Sequence, residues 1–103
     1  MNIYNVYFSA NENITREEIE LMTTEYIKEL KNRKLISSAS LQKLVDKANF
    51  SEIPDYHLAV FFKDQNDMEQ SFKQVRAQLL NTYPHNILMK SVSEFKVSFS
   101  LAL

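Results

Sequence analysis

Tyr56-His57-Leu58-Ala59-Val60-Phe61-Phe62 is the run around which this chain organises itself. It is apolar or aromatic apart from His57, and polar residues bound it on both sides, Asp55 before and Lys63-Asp64-Gln65 after. A short run of this kind between breakers reads as a largely buried strand. Side chains alternate across a strand, so Leu58, Val60 and Phe62 share one face and His57, Ala59 and Phe61 the other. Pro54 is acceptable just before such a strand and not within it.

Working outward, residues 3–9 repeat the pattern: Tyr4, Val6 and Phe8 alternate with Ile3, Asn5 and Tyr7. Between these strands lies a helix with a well-marked start. Thr15-Arg16-Glu17-Glu18 fits a capping box, and Ile14 with Ile19 fits the hydrophobic staple that accompanies one. The stripe Ile19, Met22, Tyr26, Ile27, Leu30 has helical spacing, and Lys31, Arg33 and Lys34 suit the negative helix end. The spacing predicts a helix over 16–33 and a weaker strand over 37–46, where Lys43 and Lys47 would protect a sheet edge. Residues 48–55 form a turn-rich link.

Downstream, Asn66 with Glu69 three residues on predicts a second helix, with Met68, Phe72, Val75 and Leu79 as its apolar stripe. Asn81-Thr82-Tyr83-Pro84 ends it. Ile87, Leu88 and Val92 fit a short helical turn, and Phe95, Val97, Phe99 and Leu101 alternate with Lys96, Ser98 and Ser100 in a final strand. The order strand-helix-strand, twice, is the split β-α-β pattern. It predicts an α+β, ferredoxin-like β-α-β-β-α-β domain over residues 1–103, with two helices on one face of a four-stranded antiparallel sheet.

Composition narrows the chemistry. With 103 residues, 45% of them apolar, the chain suits one domain with a core, and a net charge of -1 offers nucleic acid no attraction. The absence of cysteine removes disulfides, thiolate nucleophiles and Cys-based metal sites. The absence of glycine argues against phosphate loops, the dinucleotide fingerprint and the nucleophile elbow, which need it for close backbone approach. Left-handed backbone positions then fall to Asn32, Asn49 and Asn81, the next most tolerant residue type. No segment approaches a membrane span, and the N-terminus lacks the charge and apolar run of a signal peptide, so a cytoplasmic location is expected.

The face carrying Ile3, Asn5, Tyr7, His57, Ala59 and Phe61 is too apolar and aromatic to be left in water. A second copy, an RNA strand or a crossing segment could cover it. RNA fits poorly: the RNA-recognition module needs a basic residue and a glycine among the aromatics of its third strand, and Tyr56–Phe62 has neither. A homodimer closed sheet on sheet is the favoured reading.

Three stretches carry a resemblance: Met1-Asn2-Ile3-Tyr4-Asn5-Val6-Tyr7-Phe8, the opening Tyr56-His57-Leu58, and the Asp-rich lead into the helix with Phe72 and Val75. In these the chain resembles an uncharacterised bacterial family, domain of unknown function 6614, grouped with dimeric α/β-barrel proteins. That family tends to have Phe-His-Val at Tyr56-His57-Leu58, and a His after the second helix that His85 matches. Val45-Asp46-Lys47-Ala48-Asn49 departs from its glycines and basic residues. The resemblance implies a dimeric barrel and no established chemistry.

His57 is the first candidate for chemistry. Histidine serves as acid or base near neutral pH, and Asn5 and Tyr7 beside it could hold a substrate oxygen. The competing reading is a half-buried interface His, since no third group orients it. Asn5, Tyr7 and Phe61 are expected to line a small pocket on the sheet face, with His85 at its rim. No HxH, HxxxH or HExxH spacing exists, so no metal or cofactor is expected. The leading expectation is a homodimer that binds a small apolar ligand on its sheet face. The rivals are a cofactor-free enzyme, a monooxygenase or isomerase acting on a small aromatic or carbonyl compound, and a structural or regulatory dimer without ligand.

Overall fold

The computed structural model describes all residues, 1–103. Seven elements follow in order: β1 (Asn2–Ala10), α1 (Arg16–Asn32), β2 (Ser38–Lys43), β3 (Tyr56–Phe62), α2 (Gln65–Gln78), α3 (His85–Ser91) and β4 (Val92–Leu101). The strands form one sheet in the order β2-β3-β1-β4, every neighbouring pair antiparallel. The α+β, ferredoxin-like expectation holds, with three helices in place of two.

Thr15 caps α1 as its sequence predicts: its hydroxyl accepts from the Glu18 amide, and the Glu18 carboxylate accepts from the Thr15 amide. The cap of α2 is Asp64, whose side chain accepts from the Asp67 amide, and not Asn66. The earlier start leaves the apolar stripe unchanged, because Met68 and Leu79 are buried either way. The expected helical turn near Ile87 and Leu88 is α3, with Leu88 in the core. Val92 already belongs to β4.

None of the expected asparagines takes the left-handed backbone. Lys34, Ala48 and Glu94 do, at φ of 58°, 51° and 53°. Geometry, not residue tolerance, selects two of these places. The Leu35 amide reaches the Leu30 carbonyl and the Lys34 amide the Lys31 carbonyl, the paired bonds that close a helix through one left-handed residue. Leu30 and Leu35 then pack together against Leu79. Lys34 therefore occupies the position where glycine is most at ease. Glu94 sits in a bulge: Tyr7 pairs with Lys96 but Ser9 pairs with Ser93, so Phe8 faces both Glu94 and Phe95.

The register gives the sheet two unlike faces. Tyr4 opposes Val60 and Phe99, Val6 opposes Leu58 and Val97, and Phe8 opposes Tyr56. The β1 and β3 members lie under the helices, where Val6, Phe8, Tyr56, Leu58, Val60 and Phe62 join Ile19, Met22, Met68 and Leu88 in the main core, while Val97 and Phe99 of β4 on the same side stay 44% and 59% exposed. Burying one such side chain contributes about 1.5–3 kcal/mol. The opposite face carries Ile3, Asn5 and Tyr7, the β3 residues His57, Ala59 and Phe61, and serines and Gln42 from the outer strands. No helix covers it.

Candidate functional site

Two places gather polar side chains among apolar ones, one on each face. On the open face, Tyr7 and His57 oppose each other in register and their rings stack, centroids 4.5 Å apart. Asn5 donates from Nδ2 to Ser100 Oγ at 2.9 Å, which leaves its Oδ1 to accept from His57 Nε2, also at 2.9 Å. The donor sequence assigns the ring proton to Nε2. Asn5 is buried, at 6% exposure, although no second layer lies over it. Burial favours the neutral ring and lowers the His57 pKa below its ordinary value. Asn5, Tyr7, His57 and Phe61 thus share a face as the alternation predicts.

His85 is not with them. It lies on the other side of the sheet, at the start of α3, where it lines a cavity of about 280 Å³ between sheet and helices. Its expected place at the rim of a sheet-face pocket is corrected by topology: the chain leaving α2 returns over the helix-covered side. Twenty residues line this cavity, sixteen of them hydrophobic, and none of Asn5, Tyr7, His57 or Phe61 is among them.

The polar groups of the cavity are few. His85 Nδ1 is buried with no hydrogen-bond partner in the protein. An unpaired buried polar atom costs about 1–3 kcal/mol, so it calls for an explanation. The ring lies edge-on to Tyr26, centroids 5.2 Å apart. Burial lowers the His85 pKa, only partly offset by the Leu80 backbone, so the ring is neutral near pH 7. Tyr26 is pushed up to about 12 by burial and by the nearby Tyr4, and burial raises Tyr4 as well. Both phenols therefore stay protonated as donors. Thr23 and Ser71 also line the wall, but their hydroxyls are engaged, donating to the carbonyls of Ile19 and Leu35.

Sequence reasoning did not locate this cavity. Its signal was the pair Tyr4 and Tyr26, two phenols on stripes that otherwise face a core. A second polar group joins helix to sheet: Glu20 accepts from the Tyr56 hydroxyl at 2.7 Å and pairs with Lys43 at 2.9 Å, and these contacts lower its pKa. It ties α1 to β2 and β3. No three His, Cys, Asp or Glu side chains stand close enough to hold a metal ion. No helix is long and apolar enough to cross a membrane.

An antiparallel four-stranded sheet in the order β2-β3-β1-β4 with helices on one side defines a ferredoxin-like α+β protein. Solved structures share this fold. The Arabidopsis thaliana protein At3g17210 aligns with a TM-score of 0.79 at 12% identity, covering 100% of this chain and 96% of that one. A dimeric ferredoxin-like protein from an uncultured marine organism gives 0.66 at 12% identity, covering 99% and 94%. A dimeric protein of unknown function and ferredoxin-like fold from Bacteroides fragilis gives 0.59 at 14% identity, covering 96% and 93%. No curated protein matches the chain. Residues 1–96 match the model of the domain of unknown function DUF4286, and the chain belongs to that family. This is a different family label from the one the sequence resembles; both leave the chemistry unassigned.

Proposed function

We propose that the protein is a homodimer, joined through its open sheet face, that binds a small and mostly apolar molecule in the cavity on the helix side. The cavity carries this reading, and within it one observation: His85 Nδ1, buried and unpartnered beside phenols free to donate. A ligand with a hydroxyl or carbonyl would satisfy these groups while its body fills the apolar wall. A cavity of about 150 Å³ holds benzene, so one of about 280 Å³ has room for about twelve non-hydrogen atoms.

The dimer is supported by the uncovered face itself and by similar folds described as dimeric. On this reading His57 is an interface residue, its ring held by Asn5 and stacked on Tyr7. A cofactor-free enzyme acting on a small aromatic or carbonyl compound is the second reading, favoured by the neutral His85 as a base within reach of the cavity.

Isothermal titration with a naphthol tests the binding. One site per chain is expected, lost in Val75→Phe, which fills the cavity from a half-buried wall position. Undiminished binding in a folded Val75→Phe protein would sink the proposal. Light scattering tests the dimer, and a monomer at micromolar concentration would remove it.

A further inference from the structure

The cavity has a mouth, and the mouth has a charge. Of the residues lining it, only Arg76, Met89 and Phe95 are exposed, so these three mark where it meets solvent. Arg76 is the only Lys, Arg, Asp or Glu in the lining. The ion pairs of the protein are Arg33–Glu29, Lys43–Glu20 and Lys47–Asp55, so the Arg76 guanidinium stands unpaired at the rim. Behind it the wall is apolar: Phe72 and Val75 on the same helix, then Leu88 and Val60.

We propose that the natural ligand class is a monocarboxylic acid of about eight to ten carbons, its tail in the cavity and its carboxylate on Arg76. This rests on the cavity being a ligand site.

The charge inventory decides the orientation. An ionised carboxylate drawn into the apolar interior would lose its hydration with only neutral groups, His85 and the phenols of Tyr4 and Tyr26, and no cation to meet it, which is unfavourable. At the mouth it keeps part of its water and gains a planar, two-pronged donor that matches its geometry. The lack of any carboxylate in the wall removes the partner a cationic ligand would need. Arg76 lies in the last turn of α2, where the helix end is negative, and no second cation lines the mouth. A helix C-terminus favours the cation and opposes any anion near it, and with a single cation to offset this the mouth disfavours the two charges of a phosphate monoester more than the one of a carboxylate. His85 and Tyr26, deeper in, remain free for a hydroxyl or carbonyl placed along the tail.

Octanoate and octanol, which share a chain and differ in charge, test this on the full protein by isothermal titration. Arg76 is exposed and unpaired, so Arg76→Gln leaves the fold intact. The expected result is that Arg76→Gln weakens octanoate about three- to tenfold and leaves octanol unchanged, while Arg76→Lys recovers part of the loss. Equal octanoate affinity in Arg76→Gln and the parent overturns the carboxylate assignment, as does a parallel loss for octanol. If naphthol and octanol still bind in that case, the cavity stands as a site and only the head-group assignment fails. If no probe binds the parent, the cavity reading fails and takes this one with it.

Discussion

The two faces of the sheet share the same four strands and differ in what the alternate residues do. Under the helices, β1 and β3 contribute Val6, Phe8, Leu58, Val60 and Phe62, all buried within the chain. On the open side they contribute Ile3, Tyr7, His57 and Phe61, each only partly shielded, around the buried Asn5 and Ala59. Over β1 and β3 the first face is covered by the chain itself; the second mixes apolar residues with Asn5, His57, serines and Gln42 and has no helix over it. The helix face thus holds the core and the cavity, and on the proposed reading the open face sets association.

The largest test of that division is Ile19→Ala. Ile19 is fully buried at 0% exposure, and truncating it should cost about 2–5 kcal/mol in urea unfolding. On the open face, Phe61→Asp should leave the fold intact and raise the dimer dissociation constant about thirtyfold or more, read by sedimentation equilibrium. If Phe61→Asp unfolded the chain as Ile19→Ala weakens it, the two faces would not be separable.

Acidity should act on association in the same sense. Glu94, in the bulge, is the only carboxylate in the four strands, and Lys96 shares a row with Tyr7 and His57. The His57 pKa is lowered from 6.5 by burial, and a second copy over the face would bury it further. The dimer then binds fewer protons than the separated chains. Its stability is complete above pH 6.5 and declines as pH falls through the lowered His57 value. Dissociation constants at pH 7.5 and pH 5 should show weakening at the lower value, absent in His57→Gln. The smallest effect is local: Lys34→Gly relieves a left-handed backbone at φ 58° and should stabilise the chain by about 0.5–1 kcal/mol.

The fold was legible in the sequence because local and global signals agree. The Thr15 cap, the Ile19 to Leu30 stripe and the alternation in Tyr56–Phe62 each demand one element, and their order permits few topologies. Alternation also assigned both sheet faces. What it could not give was the space between layers. Whether Tyr26 and His85 meet a wall or a gap depends on how far α1 and α3 stand from the sheet, and no periodicity records that distance. The left-handed residues escaped for a related reason: Lys34 and Glu94 occupy places set by where α1 closes and where β4 bulges, against their own preferences. His57 was placed on its face, but its hydrogen bond through Asn5 to Ser100 joins residues 95 apart and depends on the β1–β4 register.

The chain has two histidines, one on each face, and they report on the two faces separately. Their ring signals in an NMR titration test the account most directly. Adding a naphthol at fixed protein concentration should shift the His85 ring and leave His57 in place, while dilution through the dimer dissociation should move His57 and leave His85. A naphthol that shifts His57 and spares His85 would contradict the account, placing the ligand on the open face and leaving the cavity without a role.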